Sequence, residues 1–408
     1  MFNDINLNVR KMEMRNFDPE AFVQSQIERI REIIGEEKAL VAVSGGVDSS
    51  TCAVLTHLAI GENLVCVTLD DAFMREGEPE RIAKILSKPP LSLPVKIERV
   101  QERFLRALQG LRDAEEKRKA FRKTFYETLS EIAKREDCSY LVQGTILADI
   151  IETKGGIKTQ HNVLEQLGVN TKELYGFKIV EPLVSLVKWQ VREVARYLKI
   201  PPEISERQPF PGPGLSVRVI GEIRLDKLTT LKKATAIVEN KLSKYKPSQY
   251  FAAILDNRKK PQYPNTEKTI KQASQTLNLD ANQISIKVFA DKATGIRNKS
   301  RVYGDILALK CYEREVDFVS LLKLQEVLIK SDLSVARVLY MIREQKANKP
   351  YVIVIRAVET DDFLTAKVSV LPWNVLEETA ETILEECPKV SEVYYDITPK
   401  PPATIEME

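Results

Sequence analysis

The stretch of the sequence best suited to chemistry is Ser44-Gly-Gly-Val-Asp-Ser-Ser50. Its two glycines allow a tight backbone turn that directs several N–H groups toward one point, and the hydroxyl groups of Ser49 and Ser50 add further donors. Such a loop holds a phosphate or a pyrophosphate. It differs from the GxxxxGK[ST] phosphate loop, because no lysine follows the glycines. Asp48 places a carboxylate in this anion site, as expected of a residue that helps to hold Mg²⁺ between phosphate oxygens.

An apolar run, Ala39-Leu-Val-Ala-Val43, precedes this loop, and a helical stretch from Thr51 to Ile60 follows it. The short run of apolar and β-branched residues predicts a buried strand. Gly61 predicts the end of the helix, since glycine readily adopts the backbone conformation that ends helices. The loop is therefore expected where a strand passes into a helix, so that the positive N-terminus of the helix faces the bound anion.

Strand and helix patterns continue to alternate up to about residue 201. Further strands are predicted at 64–69, 95–100 and 140–142, and further helices at 19–35, 79–86 and 113–135. This alternation is typical of βαβ units and a parallel sheet. The helix at 113–135 carries the basic cluster Lys117-Arg-Lys119, Arg122 and Lys123, which we interpret as a solvated face rather than an RNA-binding surface.

The segment Gln208-Pro-Phe-Pro-Gly-Pro-Gly-Leu215 predicts a rigid connection between domains, because its prolines remove backbone donors and fix φ. Beyond it, two stretches beginning near Arg301 and Lys349 each have a strand–helix–strand pattern, which indicates two related α+β subdomains. The predicted fold class is α/β. We expect an N-terminal lead at 1–26, a parallel-sheet phosphate-binding domain at 27–215, and an α+β domain, duplicated internally, at 216–408.

Composition excludes several classes of protein. The 408 residues are 43% hydrophobic and 29% charged, as in ordinary globular proteins. With 61 Lys+Arg against 58 Asp+Glu, the chain is not expected to be a dedicated nucleic-acid binder. No apolar run approaches the roughly 18 residues of a membrane span, and the N-terminus lacks a secretory signal. The five cysteines form no CxxC pair, which favours reduced thiols in a cytoplasmic protein over disulfides or a zinc site.

The loop at 44–50 resembles the PP-loop of the ATP pyrophosphatases, which cleave ATP between the α and β phosphates. Within that superfamily, the remaining motifs resemble GMP synthetase. The central blocks that carry this resemblance are Gln143-Gly-Thr145 with Asp149 and Glu152, Lys158, His161-Asn-Val163 and Glu181-Pro-Leu183. The later blocks are Pro209–Leu215 with Arg218 and Gly221-Glu222, Arg356-Ala-Val358 with 360–365, and the terminal Tyr395–Glu408. The similarity runs from about Ile27 to Glu408, and the doubled last third resembles the long form of that family's dimerisation domain.

The resemblance implies a set of functional residues. The implied catalytic residues are Asp48, which would also hold the metal, Asp149, Lys158 and His161. The implied ATP- and pyrophosphate-binding residues are Ser44, Gly45, Gly46, Val47, Asp48, Ser49, Ser50, Gly144 and Thr145. The implied acceptor-binding residues are Arg301, Arg356, Lys400, Pro401, Thr404, Ile405 and Glu406. In this scheme Lys158 is the cation for the phosphates, Asp149 orients the amine or a metal, and Arg356 pairs with the phosphate of the acceptor.

The resemblance also implies a reaction and its partners. Xanthosine monophosphate (XMP) would be adenylylated by Mg-ATP with release of pyrophosphate, and ammonia would then displace AMP to give GMP. About forty residues precede the PP-loop, too few for a glutaminase domain, so ammonia is expected from solution or from a separate glutaminase subunit. The chain is expected to form a homodimer in the cytoplasm, without membrane or nucleic-acid partners.

The sequence departs from the family pattern in several places. Gln160 and Gln208 stand where the family usually has histidine, Asn298-Lys299 replaces a Gly-Asp, and Met407 replaces a tryptophan. Residues 164–172 also lack the usual paired glycines. These departures leave open a paralogous ligase that acts on another nucleotide or carbonyl acceptor. A tRNA-modifying PP-loop enzyme and a non-enzymatic binding partner are the remaining alternatives.

Overall fold

The computed structural model describes residues 17–154, 170–298, 300–312, 316–360 and 363–408. These residues form two compact units. Unit 1 takes the described residues within 1–71, 77–101 and 123–207. Unit 2 takes those within 72–76, 102–122 and 208–408.

Unit 1 contains a five-stranded parallel sheet in the order β3-β2-β1-β4-β5. Its strands are β1 (Lys38–Ala42), β2 (Leu64–Asp70), β3 (Val95–Arg99), β4 (Cys138–Val142) and β5 (Lys178–Val180). Its helices include α1 (Pro19–Ile34), α2 (Val47–Ile60), α3 (Glu78–Leu86), α6 (Leu147–Lys154), α7 (Thr171–Tyr175), α8 (Lys188–Tyr197) and α9 (Pro202–Ser205). Helices α4 (Gln101–Leu108) and α5 (Ala114–Glu136) contribute residues to both units. The predicted parallel α/β sheet is confirmed.

Local sequence explains the elements that flank the phosphate loop. The Asp18 carboxylate caps α1 by accepting hydrogen bonds from the N–H groups of Glu20 at 3.0 Å and Ala21 at 3.2 Å. Side chains of β1, β2 and β4 pack against α5 residues such as Tyr126 and Leu129 in one apolar core. This buried core fixes the ends of β1 and β4, from which the candidate site is built.

Helix α2 begins at Val47, four residues earlier than predicted. Gly46 is its N-cap in an extended conformation, so the helix already includes Asp48, Ser49 and Ser50 in its first turn. The predicted start at Thr51 was wrong, because serine and aspartate are favourable in the first turn of a helix and do not delay it. Gly61 ends the helix as predicted, with φ 56°.

Unit 2 contains a seven-stranded mixed sheet in the order β11-β10-β12-β9-β8-β7, with β6 antiparallel to β10. Its strands are β6 (Gln249–Asp256), β7 (Ile284–Arg297), β8 (Ser300–Cys311), β9 (Val335–Glu344), β10 (Tyr351–Glu359), β11 (Lys367–Val368) and β12 (Val390–Asp396). Its helices include α10 (Leu225–Leu242), α11 (Thr266–Leu277), α12 (Phe318–Ser331) and α13 (Trp373–Glu386). The segment rich in proline at 208–213 forms neither helix nor strand, as predicted.

Two strand–helix–strand units make up the last third of the chain. In β8–α12–β9 the two strands pair in parallel, and the same holds for β10–α13–β12. The two units share one sheet, because β9 and β12 pair with each other in the antiparallel sense. Unit 2 is therefore a single mixed-sheet domain, and the ancestral relationship of its two halves stays a prediction.

The interpretation of the basic cluster on α5 as a solvated face is wrong for Lys117. The Lys117 side chain is fully buried and forms an ion pair with the equally buried Glu408. Lys117 lies one helical turn before the buried Phe121, on the apolar side of the helix. In the described part of the chain, no helix is both long enough and apolar enough to cross a membrane.

Candidate active site

The phosphate loop lies at the carboxyl end of β1, where Val43 leads into Ser44-Gly45-Gly46. The Ser49 hydroxyl oxygen accepts a hydrogen bond from the Ser44 N–H at 3.2 Å and lies 3.2 Å from the Ser44 hydroxyl oxygen. These contacts close the loop over the first turn of α2, whose N-terminus carries positive partial charge. A helix N-terminus with serine hydroxyls beside it is an arrangement that suits a bound anion.

Glycine is favoured at two positions of the site, by backbone conformation at Gly45 and by close packing at Gly144. Gly45 has φ 73°, and a Cβ atom there would lie 2.6 Å from Ile82 Cδ1. Gly144 lies two residues beyond the end of β4, the neighbour of β1, and a Cβ atom on it would lie 2.8 Å from the Ser49 nitrogen. Glycine at 144 therefore allows the Gln143-Gly-Thr145 block to pack directly on the phosphate loop.

Asp48 is held by a lysine that sequence reasoning missed. Lys188 is the first residue of α8, and its Nζ atom donates to Asp48 Oδ1 at 2.9 Å and to Oδ2 at 2.7 Å. Both side chains keep partial access to solvent, 35% for Lys188 and 27% for Asp48. A partly exposed cation from α8 thus lies beside the carboxylate that we expected to hold a metal.

Two of the predicted phosphate-binding residues of unit 1 are closed off from solvent. Ser50 and Thr145 are fully buried, and Cys52 Sγ donates to the main-chain oxygen of Gln143 at 3.4 Å. Burial raises the pKa of Cys52 well above its ordinary value, and the negative charges of Asp48 and Glu181 raise it further. This thiol is therefore unsuited to act as a nucleophile.

Asp149 occupies the first turn of α6, where its Oδ2 atom accepts a hydrogen bond from the Ile146 N–H at 3.0 Å. The carboxylate thus caps its own helix. Lys158 and His161 lie outside the described residues. No group of three or more His, Cys, Asp or Glu side chains suited to a metal ion occurs among the described residues.

The second group of predicted residues lies in unit 2, in the segment from Lys400 to Glu406, called here the acceptor segment. Lys400–Pro401 is a cis peptide bond, and Lys400 Nζ donates to the main-chain oxygen of Phe363. The Thr404 hydroxyl donates to the main-chain oxygen of Glu406 at 2.6 Å. Side chains of the segment thus bond to main-chain oxygens both within the segment and outside it.

Arg356 does not point toward a ligand in this structure. Its side chain is fully buried and donates to main-chain oxygens of Thr398 at 2.6 Å, Thr404 at 3.0 Å and Ile405 at 3.1 Å. Direct pairing of Arg356 with the acceptor phosphate does not fit this geometry, because its donors already face the chain. The predicted Arg301 forms an ion pair with Glu115.

A second buried arginine, which sequence reasoning missed, contacts the same segment. Arg337 on β9 donates to the main-chain oxygen of Thr404 at 2.8 Å, and to Asp396 Oδ2 at 2.6 Å. Asp396 Oδ2 also lies 3.1 Å from Arg356 Nη1. Burial lowers the pKa of Arg337 to about 10; Asp396 opposes this shift and Arg356 adds to it.

The Glu406 carboxylate is fixed by residues from two other elements. Arg218 donates to both of its oxygens at 2.9 Å, and the Gln249 amide donates to Oε1 at 2.9 Å. The Arg218 guanidinium also stacks on the Phe251 ring, 4.0 Å from its centroid. A bidentate, stacked arginine of this kind sets the carboxylate in one orientation.

Comparison with known proteins covers nearly the whole chain. Residues 19–201 match the PP-loop domain family, and residues 340–407 match the GMP synthase C terminal domain family. A protein of Sulfurisphaera tokodaii, named as the B-type subunit of a glutamine-hydrolyzing GMP synthase, is 44% identical over 393 residues, which cover 96% of this chain and 100% of that protein. The chain belongs to the family of GMP synthase B subunits.

Other members of this family are similar over the same extent. The proteins of that name from Saccharolobus solfataricus and Methanopyrus kandleri are 43% and 41% identical, each over 96% of this chain and their full length. Among solved structures, an NMN synthetase from Francisella tularensis matches 49% of this chain and 78% of its own at 20% identity, with a TM-score of 0.38. That likeness is too partial to bear on function.

Two sequence signals could have revealed the missed residues of this GMP synthase chain. Lys188 follows the last strand of the parallel sheet, and parallel α/β sheets bind ligands beyond the carboxyl ends of their strands. Arg337 interrupts the apolar run from Val335 to Ile342. A charge inside a buried strand needs a partner, and this indicates a polar network.

Proposed function

We propose that this chain performs the ligase reaction of GMP synthase, the ATP-dependent amination of XMP to GMP with release of AMP and diphosphate. The observation that carries the proposal is the 44% identity to a GMP synthase subunit over the full length of that protein. The phosphate loop at Ser44–Ser50 and the ordered acceptor segment supply the two kinds of binding surface that the reaction requires.

The phosphate loop is the proposed site for the β and γ phosphates of ATP. Main-chain N–H groups at the start of α2 and the hydroxyls of Ser44 and Ser49 supply hydrogen-bond donors. Lys188 supplies a positive charge at the same loop, and we add it to the predicted set. In phosphoryl and adenylyl transfer, a protein contributes mainly in two ways. It holds the substrates in a fixed geometry, and it stabilises the charge that develops in the transition state.

Asp48 fits a Mg²⁺ ligand, because Mg²⁺ in nucleotide sites is usually held by one or two carboxylates together with substrate phosphates. When bound, Mg²⁺ would offset the negative charge of the departing pyrophosphate. The carboxylate already binds a cation, the Lys188 ammonium group, at 2.7 Å. The chemistry of the site therefore suits a positive ion at this position.

The acceptor reaction follows from the chemistry of XMP. Its C2 oxygen attacks the α-phosphorus of ATP, the bond between the α-phosphorus and the bridging oxygen breaks, and pyrophosphate leaves. Ammonia then attacks C2, the C–O bond to the adenylyl group breaks, and AMP leaves as the nitrogen loses a proton. We propose that Lys400, Pro401, Thr404, Ile405 and Glu406 bind XMP, and that Asp149, Lys158 and His161 remain candidates for the chemical steps.

The departures from the family pattern in the described residues have structural explanations. Met407 is fully buried in the apolar core, where it replaces one apolar side chain with another. The Gln208 amide donates to Glu239 at 3.2 Å and accepts from the Tyr250 N–H at 2.8 Å, a pairing that histidine could also make. Asn298 has φ 48° in the tight turn between β7 and β8, a position that asparagine tolerates. Because each of these changes keeps the local packing, hydrogen bonding or turn, none of them requires a different acceptor, and we retain XMP as the proposed one.

The ammonia source is proposed to be a separate glutaminase subunit. The relatives are named as B-type subunits of a glutamine-hydrolyzing GMP synthase. This proposal predicts that the chain alone uses ammonium and fails with glutamine.

We further propose a homodimer, an internal duplication in unit 2, and domains at 27–215 and 216–408. The cytoplasm is the proposed location, since all five cysteines are free.

The decisive experiment mixes purified protein with Mg-ATP, ammonium and XMP and measures AMP, pyrophosphate and GMP together. The expected result is equal amounts of the three products, with no product when inosine monophosphate replaces XMP. A Ser44→Ala/Ser49→Ala variant should lose ATP turnover, and the fold of unit 2 should stay unchanged. Formation of AMP without GMP in the presence of a different nucleotide would instead support the paralogous ligase.

A further inference from the structure

We propose that Arg337 and Arg356 are positioning residues that shape the acceptor segment for its nucleotide. They turn main-chain carbonyl groups of this segment inward and leave the N–H groups of Ile405 and Glu406 for an anionic oxygen of the acceptor. The proposal rests on the proposed function in assigning this segment to XMP.

Both arginines donate hydrogen bonds to the main chain of one short stretch, residues 404–406. Arg337 Nη2 bonds the main-chain oxygens of Thr404 and Glu406 and the Thr404 hydroxyl. Arg356 bonds the main-chain oxygens of Thr404 and Ile405. Three successive carbonyl groups, at 404, 405 and 406, are therefore directed to two guanidinium groups. Bonds from a charged donor are stronger than ordinary main-chain bonds, so these carbonyl orientations are firmly set.

Within a trans peptide unit, the N–H group of one residue points roughly opposite to the carbonyl group of the residue before it. Within the described part of the chain, the N–H groups of Ile405 and Glu406 donate to no protein acceptor. Main-chain N–H groups without a partner are costly unless water or a ligand satisfies them. Successive free N–H groups form an anion-binding concavity like those in other phosphate sites.

The charges around the segment favour an anion as well. Arg218, Arg337 and Arg356 are each at most 1% exposed, and the carboxylates paired with them are those of Asp396 and Glu406. Three buried guanidinium groups thus face two carboxylates, and the buried Arg218 Nη1 atom has no hydrogen-bond partner among the described residues. A buried excess of positive charge is costly by itself and is offset when an anionic ligand binds. XMP, with its phosphate and acidic ring, has the matching charge.

The test uses Arg337→Lys, which keeps the charge but replaces a planar, multiply donating group with a single nitrogen. We expect KM for XMP to rise at least about tenfold, as for loss of one or two charge-assisted bonds, while KM for ATP stays within about twofold. The matched control is Arg343→Lys on the same strand, where the arginine is exposed and pairs with Glu381. This control should leave both constants unchanged.

Hydrogen exchange supplies a second readout that does not depend on turnover. In the unmodified protein, XMP should protect the amides of the peptide covering 403–408, and Arg337→Lys should weaken that protection. Absence of protection by XMP, or an equal rise of both KM values in Arg337→Lys, would overturn the proposal. Protection without GMP formation would support the positioning role and reject the proposed function instead.

Discussion

Replacing Lys188 with methionine should weaken ATP binding far more than it destabilises unit 1. Lys188 Nζ lies 2.7 Å and 2.9 Å from the Asp48 oxygens, with both side chains partly exposed. A partly exposed ion pair contributes about 0.2–1 kcal/mol to folding. If Lys188 also contacts phosphate, its removal costs a charge-assisted hydrogen bond of about 1.5–3 kcal/mol in binding. This corresponds to about a ten- to hundredfold loss of ATP affinity.

The assay is calorimetric titration of Mg-ATP into the purified variants, together with thermal unfolding of each. Lys96→Met is the matched control, because Lys96 forms an ion pair of similar length, 3.0 Å, with Glu136 at an edge of the same sheet. We expect both variants to unfold within a few degrees of the unmodified protein, and only Lys188→Met to lose ATP affinity. Equal ATP affinity in the two variants would refute the role of Lys188.

A double variant separates two ways in which Lys188 could act. If Lys188 only orients Asp48, then Lys188→Met should have no further effect on ATP binding once Asp48 is replaced by asparagine. If Lys188 binds phosphate itself, the two losses should remain largely additive, because each residue then has a contact of its own. We expect additivity. A double variant no weaker than Asp48→Asn would show that the lysine acts through the carboxylate.

Three further predictions concern packing and the surroundings of charged side chains. Gly144→Ala should cost about 1–3 kcal/mol of unfolding free energy and weaken ATP binding, since its Cβ atom would lie 2.8 Å from the Ser49 nitrogen; an unchanged urea midpoint would contradict the crowding. Lys117→Met should cost about 3–5 kcal/mol because Glu408 is left buried without its partner, and adding Glu408→Gln should restore part of that stability in the same urea titration. Burial alone would raise the pKa of Asp332, but hydrogen bonds to its carboxylate outweigh burial and lower the pKa to about 2. Its contribution to stability is therefore present above its ordinary pKa of 3.8 and lost as pH falls toward 2; the stability gap between the unmodified protein and Asp332→Asn should narrow over that range, and a constant gap would contradict the shift.

Much of unit 1 could be predicted from sequence because its signals are local. The apolar run at Ala39–Val43 and the glycines at 45 and 46 specify a strand, a turn and a helix within a short stretch of chain. The parallel pairing then follows from the alternation of strands and helices. The start of α2 was misplaced because the serines of the loop are equally suited to a cap and to a first helical turn.

The pairing of Lys188 with Asp48 could not be predicted in the same way. The two residues are far apart in the sequence, and only the order of strands β1, β4 and β5 brings the start of α8 to the loop. Lys117 shows the same limit. A lysine among charged neighbours on a helix favours solvent exposure on composition alone. The spacing to Phe121 places Lys117 on the apolar side of α5, but the sequence does not show that Glu408 supplies its buried partner.

The two candidate binding surfaces differ in what fixes their main chain. At the proposed phosphate loop, the glycine conformations and the helix N-terminus that would present N–H groups to a ligand arise within the loop itself. The residues that form this surface therefore also fix its shape. At the acceptor segment, Arg337 and Arg356 orient the main chain from strands β9 and β10, and Arg218 fixes Glu406 from a third place in the chain. A motif can therefore be intact at Thr404–Glu406 and still be non-functional if a distant arginine is lost. For this reason we expect substitutions at Arg337 to affect XMP binding as strongly as substitutions within the motif itself.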